Sequence, residues 1–110
     1  MRRDVQEGKP RFDLIYYPMI KRLAGLMERG ATKYGENNWQ KANSVEELIR
    51  FKSSMMRHAF QFWNNENAEE DHGAAILFNL GAMMYLMDKL DITDVSISNL
   101  YKLLEQEQQH

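Results

Sequence analysis

A chain of 110 residues with 44% hydrophobic and 27% charged residues has the make-up of one globular domain, which excludes wholesale disorder. Its formal net charge of −2, with both signs interspersed, argues against a general nucleic-acid binder, and the lack of cysteine removes disulfides and thiolate metal sites. No apolar run approaches a membrane span and no apolar segment follows Met1-Arg2-Arg3-Asp4, so the expected location is the cytoplasm.

Residues 1–17 combine Gly8, Pro10 and mixed charge with Phe12, Leu14, Ile15, Tyr16 and Tyr17. This reads as an extended arm that packs its aromatic end on the body. Pro18 suits the first position of a helix, where its missing N–H would be unpaired anyway. Ile20, Leu23, Ala24 and Met27 follow at helical spacing, with Gly30 as the expected stop. Ala31 to Ser44 contains Gly35, Asn37 and Asn38 without apolar periodicity and reads as a loop. Within it Lys33, Tyr34, Asn38, Trp39 and Lys41 offer cations, amides and a stacking surface, although Trp39 equally suits a core plug.

A second helix is expected from Ser44 to about Trp63. Glu47 completes a capping box with Ser44, and Leu48, Phe51, Met55, His58 and Phe62 form one stripe. A third runs from about Ala68 to Lys89, with acidic residues in its first turn, where they suit the helix dipole. Its small residues Gly73, Ala74, Ala75, Gly81 and Ala82 permit close helix approach. A last helix spans about Ser96 to Gln106 and carries Ile97, Leu100, Tyr101 and Leu104. No segment alternates with period two. The expected fold class is all-α, a bundle of about four helices in a single domain over 1–110.

Chemistry concentrates between the second and third helices. Asn64 to His72 holds Glu66, Glu69, Glu70, Asp71 and an imidazole, with Arg57-His58 upstream and Asn79 downstream. In an antiparallel hairpin His58 and Asn79 would each lie about two turns from the connection and face each other. His72 and Asn79 share a face with Ala75 between them, as a pocket wall would. Each group also has a plainer reading: His58 as a hydrogen-bonded core histidine, the acids as a solvated helix start. As a metal site, the oxygen ligands select Mg²⁺ or Mn²⁺, and imidazole adds tolerance for a later ion.

These segments resemble one family in order. Lys9-Pro10-Arg11-Phe12-Asp13-Leu14-Ile15, Arg29-Gly30-Ala31-Thr32-Lys33-Tyr34-Gly35, Asn38-Trp39, Arg57-His58, Glu66, Glu70-Asp71-His72 and Asn79 are similar to a phage-rich family of dATP/dGTP diphosphohydrolases. That family is in turn similar to the all-α, MazG-like NTP pyrophosphohydrolases. The resemblance covers about residues 9–87 and leaves the last helix outside it. It implies an oligomeric helical protein that uses Mg²⁺ or Mn²⁺ to cut a deoxynucleoside triphosphate into monophosphate and pyrophosphate, serving nucleotide-pool control in a phage-infected host.

Carried onto this chain, the resemblance gives Glu66, Glu70, Asp71 and His72 to the metal, and Glu70, Asp71 and His58 to catalysis. Lys9, Arg11, Lys33 and Arg57 would meet phosphates, and Tyr34, Asn38, Trp39 and Asn79 the rest of the nucleotide. The chain also departs from the wider group. Arg57 and His58 stand where that group carries a Glu-x-x-Glu pair, and Ala74 replaces the second acid after Asp71. Asn65 and Ala42 occupy positions where glycine is expected. One acidic cluster without a second suits a protein that sequesters a nucleotide without cutting it, and a Met-rich helix face that forms a dimer suits a third reading, a helical interaction module.

Overall fold

Local chemistry sets each helix boundary in the computed structural model, which describes residues 8–109. Four helices form: α1 Tyr17–Tyr34, α2 Val45–Trp63, α3 His72–Leu90 and α4 Ile97–Gln108. Short 3-10 turns lie at Phe12–Leu14 and Asn38–Lys41. No strand occurs among the described residues, and the fold is the expected all-α arrangement.

The first helix does not end at Gly30. It continues to Tyr34 and stops at Gly35, whose φ of 98° and ψ of 152° are open to glycine and strained for any other residue. The Gly35 N–H donates to the Ala31 carbonyl at 2.8 Å, closing the last turn. Gly30 sits inside the helix, at a cost of about 1 kcal/mol relative to alanine. The arm also differs from expectation. Phe12, Leu14, Tyr16 and Tyr17 are exposed, Phe12 by 77%, rather than packed on the body. Residues 1–7 of that arm lie outside the described residues.

Ser44 caps α2 as expected. Its hydroxyl oxygen accepts the Glu47 N–H at 3.2 Å, while the Glu47 carboxylate accepts the Ser44 hydroxyl at 2.7 Å and the Asn43 N–H at 3.1 Å. The helix then turns back through residues 64–71. Asn65 and Asn67 take left-handed φ values of 55° and 49°, which asparagine tolerates better than most residues. That accounts for asparagine at position 65 in place of glycine. Ala42 has an ordinary φ of −58° and is buried, so no glycine is needed there.

The third helix starts at His72, four residues later than expected, because Asp71 rather than the residue before Ala68 caps it. The Asp71 carboxylate accepts the Ala74 N–H at 3.0 Å. Glu66, Glu69 and Glu70 therefore belong to the connection and not to the first helical turn.

The core lies at the far end of the α2–α3 hairpin, where α4 crosses α2. Ala42, Val45, Leu48, Met83, Leu86 and Leu100 form its buried cluster. Burial of a leucine such as Leu48, Leu86 or Leu100 stabilises by about 2 kcal/mol. The Glu107 carboxylate accepts the Val45 N–H at 2.9 Å, and the Lys52 ammonium donates to the Val95 carbonyl, fastening α4 and the segment before it to α2. At the opposite end Phe60, Phe62 and Trp63 are exposed, Trp63 by 86%. No helix of the described residues is long and apolar enough to cross a membrane.

Candidate active site

The hairpin brings two imidazoles into direct contact. His58, five residues before the end of α2, and His72, the first residue of α3, place their Nδ1 atoms 2.9 Å apart. On its other side His72 Nε2 lies 2.8 Å from the Glu66 carbonyl, which only accepts, so Nε2 carries a proton. A neutral His72 then accepts at Nδ1 and His58 donates from its own Nδ1. That leaves His58 Nε2 as an acceptor, and the Arg57 guanidinium stands 3.4 Å from it. Burial, and next the charge of Arg57, hold the His58 pKa below its ordinary value, with Glu70 opposing them. The neutral form that the hydrogen bonds require is thus the form that the surroundings favour.

Glu70 closes the group. Its Oε2 lies 3.8 Å from both Nδ1 atoms, and the three ligating atoms fall within 4.8 Å of one another. Two imidazole nitrogens and a carboxylate oxygen converging from three points of the chain form a donor set that fits a divalent cation. His72 is almost wholly buried and His58 nearly so, whereas Glu70 is about half exposed, leaving one side of the group open.

Asp71 is engaged elsewhere. It receives two parallel hydrogen bonds from Arg22 of α1, at 2.8 Å and 2.5 Å, besides capping α3. The bonds from Arg22 bring its carboxyl down to about 2; burial opposes them, and the Ala74 N–H and the charge of Arg29 add to them. The structure therefore assembles His58, Glu70 and His72 but keeps Asp71 apart as a clamp. Glu66 contributes its carbonyl, not its carboxylate. Asn79 does not face His58. It is buried on the same face of α3 as His72 and Ala75, and its amide donates to the Ala75 carbonyl at 2.8 Å.

A cleft of about 670 Å³ opens between the same helices, nearer the C-terminal end of α1. Leu26, Gly30 and Tyr34 of α1, Phe51 of α2 and Phe78 of α3 line it, with Asn38, Trp39 and Lys41 from the connecting turn. Trp39 meets Phe78 and Tyr85 edge-on at 6.0 Å and 5.1 Å, so it both fills the core and walls the cleft. Tyr34 is 62% exposed, with the Lys33 ammonium 5.1 Å from its ring centre. Phe51 and His58 are seven apart on α2, and Phe78 and Asp71 seven apart across the start of α3. Each step is about 10 Å along a helix, and in an antiparallel hairpin both run the same way. Leu26 and Arg22, one turn apart on α1, follow them. By this count the imidazole group lies about 10 Å along the helices from the cleft.

The other expected residues scatter. Arg11 is paired with Asp13 at 2.7 Å and Lys9 is exposed on the arm, while Arg57 is exposed beside His58. Arg22 and Arg29 had no assigned role among the expected residues. They are seven apart on one face of α1, and the Arg29 guanidinium lies over Gly25, 3.5 Å from where a Cβ would be. Their helical spacing was the available signal.

A family model described as dATP/dGTP diphosphohydrolase, N-terminal, matches residues 2–95. The chain belongs to this family. The match takes in the arm, α1, the aromatic turn, the hairpin and the whole imidazole group of this diphosphohydrolase-family chain, and it ends just before α4. No curated protein and no solved structure matches it.

Proposed function

We propose that this diphosphohydrolase-family chain binds a purine deoxynucleoside triphosphate, dATP or dGTP, and hydrolyses it to monophosphate and pyrophosphate with a divalent cation. The observation that carries the reading is an aromatic cleft about 10 Å along the helices from His58, Glu70 and His72. A base in the cleft would lie against Tyr34 and Trp39, with the Asn38 amide as a polar partner. A separation of about 10 Å then suits a phosphate chain extended toward the imidazole group.

His58, His72 and Glu70 would hold the cation, which supplies charge neutralisation to the phosphates and activation of water. Arg57 stands beside the group and would serve as a phosphate donor, and the Arg22–Asp71 clamp fixes α1 against the start of α3. The exposed Met56, Phe60 and Trp63, at helical spacing on α2, support assembly as a homo-oligomer. Such an enzyme would serve nucleotide-pool control in a phage-infected cell.

A second reading rests on one observation: the group contains a single carboxylate, because Asp71 is committed to Arg22. A site that is short of carboxylates would hold a nucleotide without cutting it. Incubation with each dNTP and Mg²⁺ or Mn²⁺, followed by ion-exchange chromatography, separates the two. Deoxynucleoside monophosphate plus pyrophosphate is expected. Nucleotide recovered intact, after it has raised the melting temperature, would leave the sequestering protein in its place.

A further inference from the structure

We infer that His58 Nδ1, His72 Nδ1 and Glu70 Oε2 form a site selective for a later first-row divalent ion, from Mn²⁺ to Zn²⁺, over Mg²⁺. Its binding stands without any nucleotide; only its catalytic use rests on the function proposed above.

Atoms spaced 2.9, 3.8 and 3.8 Å apart lie on a circle of about 2.1 Å radius, the ordinary length of a bond from a first-row ion to imidazole nitrogen or carboxylate oxygen. A point between the three donors therefore meets all of them at bonding distance with no movement of either helix. Two of the three donors are imidazole nitrogens. Mg²⁺ demands oxygen donors and gives up its water reluctantly, whereas imidazole suits Fe²⁺ and the ions after it, and affinity rises from Mn²⁺ toward Ni²⁺. Asp71, the acid that would favour Mg²⁺, is held away by Arg22.

The hydrogen bonds also prepare the site. The Glu66 carbonyl fixes the His72 proton on Nε2, which turns the Nδ1 lone pair toward His58, as an outer hydrogen bond does for metal-bound histidine. In the ion-free protein the only proton between the rings belongs to His58 Nδ1. Binding an ion must move it to His58 Nε2, which stands beside the exposed Arg57 side chain. His58 thus exchanges tautomers when the ion binds, and His72 keeps the tautomer it already has.

The test uses the full chain without nucleotide. Thermal unfolding with equal concentrations of Mg²⁺, Mn²⁺, Co²⁺ or Ni²⁺ should give shifts that rise in that order, reaching about 5 °C or more for Ni²⁺ and nearly none for Mg²⁺. An equal or larger shift with Mg²⁺ would overturn the inference. Long-range ¹⁵N imidazole spectra with Zn²⁺ should show His58 passing from protonated Nδ1 to protonated Nε2 while His72 stays on Nε2. A His58 pattern that Zn²⁺ leaves unchanged contradicts the assignment. Glu70→Gln, at a half-exposed position in the turn, should weaken Co²⁺ binding at least about tenfold, and unaltered affinity would remove Glu70 from the site.

Discussion

Arg22 and Asp71 lie 49 positions apart and meet through two parallel hydrogen bonds, of 2.8 Å and 2.5 Å. One contact joins the first turns of α1 to the start of α3, and it decides what Asp71 can do. A carboxylate that accepts two guanidinium bonds and a helix-capping N–H has little left for an ion. Asp71 therefore holds α1 against the start of α3, and Glu70 beside it is left to face the imidazoles.

Arg22→Ala should loosen α1 without unfolding the core, since α1 has no fully buried residue of its own. The loss should be small, because the guanidinium is more than half exposed and solvent screens the pair. Hydrogen exchange should quicken across residues 19–34 and stay slow in α3 around Leu86. Unchanged exchange in α1 would mean that the clamp does not hold that helix.

The two glycines at the end of α1 should respond in opposite directions. Gly30→Ala meets no atom within 4 Å and sits in the helix interior, so it should stabilise by about 0.5–1 kcal/mol. Gly35→Ala places a side chain at a φ of 98° and should cost about 1–3 kcal/mol. Denaturant midpoints of the two variants measure the difference directly, and the same sign for both would contradict the helix boundary.

Glu47 makes stability depend on pH. The Asn43 N–H, and next the Ser44 hydroxyl, hold its carboxyl below the usual glutamate value. The folded state thus prefers the ionised form. That stability is complete above the unfolded-state value and is lost as pH falls through the lower folded one. Glu47→Gln should cost about 0.5–1 kcal/mol near neutral pH. Unfolding curves of the two proteins should converge as the pH drops below about 4, and a constant gap would refute the charge contribution.

Trp39 and Tyr34 should separate packing from binding. Trp39→Ala removes the edge contacts to Phe78 and Tyr85 and should cost about 2–3 kcal/mol of stability, with Trp39→Phe recovering part of it. Tyr34 is exposed in the cleft, so Tyr34→Ala should leave the denaturant midpoint nearly unchanged. It should weaken dGTP binding by about 1–3 kcal/mol, read by calorimetry. Equal affinity in both proteins would exclude Tyr34 from the base site.

The sequence exposed those features that depend on near neighbours. Ser44 and Glu47 are three residues apart and form their cap as expected, and the apolar stripe of α2 packs at Leu48, Phe51 and Met55 but leaves Phe62 exposed. Gly30 and Gly35 show where local reading stops. Both can end a helix, and only the backbone conformation at Gly35 tells which one does. The histidine pairing was missed by about two turns. His58 was expected to face Asn79, but the connection through residues 64–71 brings His72, seven residues earlier, against it. Arg22 left a weaker trace, because an exposed arginine carries no mark of a partner 49 positions away.

The central claim is that the aromatic cleft and the imidazole group are two ends of one catalytic site. Steady-state kinetics of dGTP hydrolysis by Tyr34→Ala and Glu70→Gln, with direct measurement of nucleotide affinity, tests it most directly. Tyr34→Ala should raise KM about tenfold or more and change kcat little. Glu70→Gln should lower kcat at least about 100-fold while keeping most of the nucleotide affinity. Full turnover by Glu70→Gln, or an unaltered KM in Tyr34→Ala, would contradict the account.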